Sequence, residues 1–425
     1  MYYSLPYGNG EVALDIDENG TFLLEAKPLP SPDLDLTFKE ALENPVETKR
    51  LSEIAKPGER VCIVVGDMTR LWARYDQILP YILEELHRAG IEDGNITIVS
   101  GTGAHRPQSE DEHRQIVGQE VYSRIKVVDH NCNNKEELVY LGKTGRGTPV
   151  WINKLVHESD RIILTGGVVH HFLAGYGGGK KSILPGVSGY ETIMANHKLS
   201  IDPSGRGINP SVCAGRLKGN PLSEDMIEAA RMTHVDFAVN VVINEEGRIG
   251  YVSCGDMVAS HERSAAVVDE HFGVSIEDKS DLVIASCGGY PKDINLYQTY
   301  KTMYNARRAV RDGGVVIILS ESREGIGNDN FKTIFTEHPT RRKREEKLAK
   351  DYDIASFEGY SLSLWQEDVD FLVMSSIPEG ELKQMGLIPI GDINQGLNYA
   401  YKKLGKNLRT YVMPHGSITF PMKGE

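Results

Sequence analysis

The residues best able to do chemistry fall in short, glycine-backed segments. Gly66-Asp67-Met68-Thr69-Arg70, Gly101-Thr102-Gly103-Ala104-His105-Arg106 and Gly166-Gly167-Val168-Val169-His170-His171-Phe172 each follow a β-branched run, and Cys287-Gly288-Gly289-Tyr290-Pro291-Lys292 follows a fourth. Arginine offers a forked grip on a carboxylate or phosphate, and histidine gives or takes a proton near neutral pH. Taken singly, Asp67 and Arg70 need only cap a helix and pair with each other, and the same plain reading covers His105. Their recurrence is what points to a site. In open α/β sheets ligands bind beyond the carboxyl ends of strands, so polar residues there converge on one rim.

The stretch from Gly175 to Gly186, GYGGGKKSILPG, is the strongest local signal. Glycines let backbone N–H groups crowd an anion and lysines add charge, which suits a phosphate or nucleotide. It departs from the P-loop pattern, because Gly179-Lys180 is followed by Lys181 and Ala174 stands where a glycine is required. His170 and His171 are neighbours on extended backbone, so at most one faces a given site. His197 lies in a helix expected over Tyr190 to Lys198, where a lone histidine ordinarily packs or faces solvent. Tyr297 and Lys301 are four apart on a helix and share a face, with Gln298 beside them. An exposed helix face is the plain reading. As a functional face, Lys301 would hold a carboxylate while Tyr297 and Gln298 orient hydroxyls.

These segments need a scaffold, and the hydrophobic pattern supplies one. Arg60 to Gly66, Ile96 to Ser100 and Arg161 to Thr165 read as strands and Gln77 to Ala89 as an amphipathic helix, the alternation of an α/β sheet with parallel strands. A hairpin is expected from Glu11–Ile16 and Thr21–Glu25 around Asn19-Gly20, with further strands at Tyr122–Val128, Val139–Leu141 and Val150–Ile152. A second block alternates from Leu282 to Leu404, with a helix over Asn295 to Arg311. The hinge is expected after the helix Met257–Phe272, at Glu277-Asp278-Lys279-Ser280.

Composition bounds the answer. At roughly 150 residues per domain, 425 residues make two or three domains that need no disulfide or metal staple. The net charge of −13 argues against non-specific nucleic-acid binding, so any anionic ligand must be held locally. No apolar run approaches the roughly 18 residues a membrane helix requires. The opening Met1-Tyr2-Tyr3-Ser4-Leu5-Pro6 does not read as a secretory signal, and five widely spaced cysteines without a CxxC suit reduced thiols. A cytoplasmic protein is expected.

In order and separation, Asp67 to Arg70, Gly101 to His105, His170 through Gly186, His197, and Tyr297-Gln298 with Lys301 together resemble the nickel-pincer-dependent lactate racemases and related 2-hydroxyacid racemases and epimerases, over nearly the whole chain. The resemblance implies two α/β domains with the active site in the cleft between them: 1–274, joined by the tail 412–425, and a Rossmann-like 275–411. It implies interconversion of the stereoisomers at C2 of a 2-hydroxy acid, lactate first among them, by hydride transfer through a 2-keto acid. The cofactor implied is a pyridinium-3-thioamide-5-thiocarboxylic acid mononucleotide that grips Ni(II) through sulfur, carbon and sulfur. Carried over by position, Lys181 rather than Lys180 bears that group covalently, and His197 supplies the fourth nickel ligand. A planar four-coordinate site suits Ni(II). His105 and His171 are the two bases, one per enantiomer, and Arg70 binds the substrate carboxylate with help from Tyr297, Gln298 and Lys301. Asp67 and Thr69 help position the nucleotide or Arg70, and Gly177, Gly178 and Gly179 accommodate its phosphate. Transient contact with cofactor-making enzymes is implied; nucleic acid and membrane are not. His170, Lys180 and Trp365 receive no role.

Other classes stay open at this level. Another 2-hydroxy acid or a sugar-acid 2-epimerase fits the same residues. A kinase or ligase could use the glycine-lysine loop, though no magnesium-binding strand is evident. A zinc hydrolase built on His105, His171 and His197 lacks HExxH spacing.

Overall fold

A computed structural model describes residues 1–423. The chain divides into two compact units, one of Pro28–Ser200 with Asn209–Glu270, the other of Met1–Lys27, Ile201–Ile208 and the chain from His271 onward. This differs from the expected boundaries, which assign the first residues and the tail to the N-terminal domain.

Strand pairing explains the difference. Strands β1 (Tyr2–Tyr7) and β2 (Gly10–Asp15) form the opening antiparallel hairpin, turning at Gly8 with its φ of +54° rather than at Asn19-Gly20. Strand β3 (Thr21–Leu23), expected to pair with residues 11–16, instead leaves to join a sheet built by the C-terminal half. The hairpin face carrying Leu5 and Leu14 is fully buried in the same core as Leu282, Ile284 and Val412. Burying those leucines there is worth about 1.5–3 kcal/mol each, which fixes the N-terminus to this unit.

In the unit of Pro28–Glu270, the central sheet uses β4 (Val61–Gly66), β5 (Ile96–Gly101), β6 (Lys126–Asp129), β9 (Arg161–Gly167), β12 (Phe237–Ile243) and β13 (Ile249–Gly255), in spatial order β13-β12-β9-β4-β5-β6. All pairings are parallel except β12 with β13. Val61 to Val65 are buried on both faces, as a covered parallel strand requires. Between β6 and β9 stands an antiparallel pair, β7 (Leu138–Lys143) and β8 (Pro149–Asn153), and after β9 come two short strands, β10 (His170–His171) and β11 (Gly175–Tyr176). The strand expected over Tyr122–Val128 is in fact a helix, Gln119–Arg124, followed by β6; Gly118, at φ +85°, ends the preceding helix and lets Val121 turn into the core.

In the other unit, β14 (Gly273–Ile276), β15 (Ser280–Ser286), β16 (Val310–Leu319), β17 (Asp370–Met374), β18 (Ile388–Ile390), β19 (Thr410–Met413) and β20 (Phe420–Lys423) complete the fold. The main sheet runs β18-β17-β16-β15-β19-β3, parallel throughout, and β20 pairs with β14, which holds the tail here. The helix Leu296–Ala309 starts where Asn295 caps the Gln298 N–H and ends as β16 begins. Among the described residues no helix is long and apolar enough to cross a membrane.

Candidate active site

The segments singled out after β4, β5 and β9 do come together. Asp67 caps the turn Met68–Ala73, its Oδ1 accepting from the Thr69 N–H (3.1 Å) and hydroxyl (2.6 Å). Its other oxygen takes a 2.5 Å contact from His105 Nδ1. Burial alone would raise the Asp67 carboxyl, but the hydrogen bonds from His105 and Thr69 and the charges of His105 and Arg70 outweigh it and hold the group below its ordinary range. The carboxylate therefore accepts and Nδ1 donates, which leaves Nε2 of the exposed ring as the nitrogen turned away from Asp67. Arg70 Nη1 donates to the Thr69 hydroxyl at 2.7 Å. Gln108 braces the His105 loop, accepting from the Met68 N–H and donating to Ser100 and Asp129.

The glycine-lysine stretch folds as the β10–β11 pair and then a 3-10 turn, Gly179–Ser182, with no helix until Tyr190. A P-loop needs a helix directly after its glycines, so this loop is not one. Its glycines are sites of close approach: a Cβ on Gly166 would stand 2.8 Å from Gly178 Cα, and one on Gly178 would meet Val168 and Asn240. The Gly179 N–H donates to Asn240 Oδ1 (3.0 Å), and His261 Nε2 contacts the Gly177 carbonyl (2.7 Å). Asn240 and His261 escaped the sequence reading. The available signal was an asparagine inside the apolar strand Phe237–Ile243.

The two lysines part company. Lys180 is buried, its ammonium on the Ala174 carbonyl at 3.3 Å, and burial lowers it to about 7. Lys181 Nζ lies 2.8 Å from His171 Nε2. Nδ1 of His171 accepts the N–H groups of Leu173 and Ala174, both at 3.2 Å, so the ring hydrogen sits on Nε2. An Nε2–H can bond to Lys181 only if that amine has a lone pair. Burial, with the nearby charges of Arg70 and Lys180, pushes Lys181 the same way, well below a normal lysine. His197 is buried, and its Nδ1 meets the Ile193 carbonyl at 2.9 Å, which leaves the lone pair on Nε2. Burial and Lys181 lower it to about 3. Arg70, His105, His171, Lys181 and His197 thus belong to one unit, with Lys181 coupled to Arg70, His171 and His197.

His170 turns to Asp269, at 2.8 Å, which also accepts from the Tyr176 hydroxyl. Among the described residues there is no group of three or more His, Cys, Asp and Glu side chains that could hold a metal ion.

Tyr297, Gln298 and Lys301 stand in the other unit, on the helix Leu296–Ala309, where Lys301 donates to Gln298 Oε1 at 3.0 Å. Behind them lies a residue the sequence reading passed over, Glu358. Burial drives its carboxyl well above the ordinary range, against the charge of Lys301 and a hydrogen bond with Tyr297. Trp365, half-buried, stacks on Tyr300 (5.3 Å) and packs edge-on to Tyr304.

The buried histidines make an acid-sensitive unit. Burial holds His130 at about 4, His197 at about 3 and His261 well below its normal value. The unfolded chain binds these protons from about pH 6.5 downward and the native chain does not, so stability rises with pH across that window and falls on acidification. At pH 5 each such residue costs on the order of 2 kcal/mol. Melting of the unliganded chain is expected to drop by roughly 5–10 °C between pH 7 and pH 5; an unchanged melting temperature would contradict the assignment.

Comparison with known proteins now bears on this geometry. Residues 7–207 match the model of the lactate racemase N-terminal domain and residues 276–419 that of the lactate racemase C-terminal domain. The lactate racemase of Thermoanaerobacterium thermosaccharolyticum is 31% identical over 97% of both chains, and that of Lactiplantibacillus plantarum 35% identical over 69% of this chain and 68% of its own. The solved lactate racemase apoprotein from T. thermosaccharolyticum superposes with a TM-score of 0.89 at 29% identity, covering both chains fully. A Thermotoga maritima protein at 17% identity and TM-score 0.65, over 92% of this chain and 98% of its own, shares the fold. The match to relatives named lactate racemase, in sequence and in structure, makes the chain an enzyme of the isomerase class. The chain belongs to the lactate racemase family.

Proposed function

We propose that the protein interconverts the enantiomers of a 2-hydroxy acid, lactate first among them, through a planar 2-keto acid. The observation that carries this is the setting of Lys181, an amine held with a lone pair by His171 and lying within the influence of Arg70 and His197. The residues fit a covalent nickel-pincer nucleotide. Only an unprotonated amine can form the bond to such a group, and His197 presents a neutral imidazole whose other nitrogen is fixed by a carbonyl, as metal-binding histidines are. Gly177 to Gly179 pack closely on Val168, Asn240 and His261, which fixes the turn that presents Lys181 to such a group.

When bound, that group supplies a carbon that accepts the C2 hydrogen as hydride and returns it. The protein's own part is proton traffic and restraint. Arg70 grips the substrate carboxylate. His105 takes the hydroxyl proton at Nε2 while Asp67 steadies the imidazolium that forms. His171 would serve the other face: its Nε2, once freed from Lys181, takes the hydroxyl proton of one enantiomer and returns it from the imidazolium that results. Thr69 spaces Arg70 from Asp67. The same reading has the enzyme meet its cofactor-making partners in the cytoplasm.

The test is the mass of the intact protein and of the Lys181 peptide, purified from cells that make the pincer cofactor. A nucleotide-sized adduct with nickel on Lys181 is expected, and Lys181→Ala should lose it. Retention in that variant would move the attachment to Lys180; an unmodified wild-type chain, in cells shown to load a known racemase, would sink the nickel reading.

A further inference from the structure

His170 and Tyr176, to which the proton traffic above gives no part, are held by one carboxylate. Nε2 of His170 donates to Asp269 Oδ1 at 2.8 Å, and the Tyr176 hydroxyl lies 2.7 Å from that oxygen and 2.6 Å from Oδ2. His170 stands on β10 and Tyr176 opposite it on β11, so Asp269 grips both strands of the pair. The pair needs such a grip. Its strands are two residues long, and an isolated two-stranded ribbon is marginal even at greater length.

The ribbon carries groups whose placing matters. Successive side chains on extended backbone point to opposite sides, so turning His170 to Asp269 turns His171 the other way, where its Nε2 lies 2.8 Å from Lys181 Nζ. On the other strand Tyr176 leads into Gly177, whose N–H donates to the Val169 carbonyl at 2.8 Å and whose carbonyl meets His261 Nε2 at 2.7 Å, and Lys181 follows four residues later. His261 and Asp269 are eight apart on the helix Met257–Phe272 and so share one stripe of it, which backs the segment from His171 to Lys181. Asp269 also sits in the last turn of that helix, where the exposed carbonyls disfavour a carboxylate. The two donors offset that penalty.

We infer that Asp269 is a positioning residue, a clamp on His170 and Tyr176 that sets the β10–β11 ribbon so that His171 faces Lys181. Its effect on turnover rests on the reading of His171 and Lys181 given above, whereas the clamp itself can be tested in the unloaded full chain. The role is one of shape. Oδ1 takes part in both contacts, so an asparagine that keeps an oxygen there keeps both, and an alanine keeps neither.

Hydrogen–deuterium exchange of that chain is the first measurement. In Asp269→Ala, and in Tyr176→Phe, which removes only the hydroxyl, the amides of 170–177 should exchange about tenfold faster or more, while those of β4 and β9 keep their rates. Asp269→Asn should stay within a few-fold of wild type, and melting curves establish that each variant is folded. In loaded enzyme, turnover per Lys181 adduct should fall about tenfold or more in Asp269→Ala with KM nearly unchanged, and return in Asp269→Asn. Unchanged exchange in both folded variants overturns the clamp, as does a change in Asp269→Asn as large as in Asp269→Ala. Faster exchange with undiminished turnover per adduct overturns its part in placing His171. A wild-type chain without adduct, in cells shown to load a known racemase, counts instead against the reading of Lys181, and the exchange rates then decide the clamp alone.

Discussion

Asp67→Asn in loaded enzyme is expected to lower turnover by about 10²–10⁴-fold while leaving KM and the Lys181 adduct nearly unchanged. The substitution is almost isosteric, and an amide oxygen at Oδ1 can still accept from the Thr69 N–H and hydroxyl. The amide nitrogen then faces His105 Nδ1, where the carboxylate oxygen stood at 2.5 Å. Two donors cannot face each other, so Nδ1 becomes the acceptor and the ring hydrogen moves to Nε2. His105 would then present an N–H where the reaction needs a lone pair, and the imidazolium formed in the wild type would lose its counter-charge. Chiral chromatography of the product with the intact mass measured in parallel decides the matter. Turnover within a few-fold of wild type would mean that His105 is not the base at this position. Loss of the adduct would mean that Asp67 helps position the nucleotide, one of the two roles the sequence reading gave it, the other being to position Arg70.

That role shows where sequence reasoning reached and where it stopped. The strand-end residues were legible because a parallel sheet leaves little choice: Val61 to Val65 must be covered on both faces, and Asp67, Thr69 and Arg70 then emerge at the rim. The partner of Asp67 was not legible, since His105 lies 38 residues away and only the parallel register of β4 with β5 brings the two loops together. Local turn chemistry also misled. Asn19-Gly20 does make a turn, with the Thr21 N–H bonded to the Glu18 carbonyl, but β3 goes on to the edge of a distant sheet, where Val412 and Tyr411 offer it a parallel partner. Long-range pairing outweighed a short-range hairpin signal. Glu358 went unnoticed for a related reason: in Ile354–Trp365 it reads as the one charged residue of a largely apolar helix, and its position behind Tyr297 and Lys301 exists only after helix packing.

The other large effect is expected from the histidine pair. His105→Ala and His171→Ala should each cut racemisation by at least about 10³-fold with the Lys181 adduct still in place. Enantiomers have equal free energy, so the equilibrium constant is one and kcat/KM must fall equally in both directions, whichever histidine is removed. A one-sided loss of kcat/KM cannot occur, and its apparent observation would expose a trapped intermediate or incomplete product analysis. The two residues differ instead in their settings. In the wild type His105 donates from Nδ1 to Asp67, and His171 accepts the amides of Leu173 and Ala174 at its Nδ1. His105→Gln retains a donor but no base, so only residual turnover should remain. His171→Ala also removes the contact to Lys181 at 2.8 Å, which makes the adduct mass the necessary companion measurement. Loss of turnover with the adduct retained assigns His171 to proton transfer. Loss of both assigns it first to presenting the Lys181 amine, and near-normal turnover in either alanine variant removes that residue from the acid/base pair.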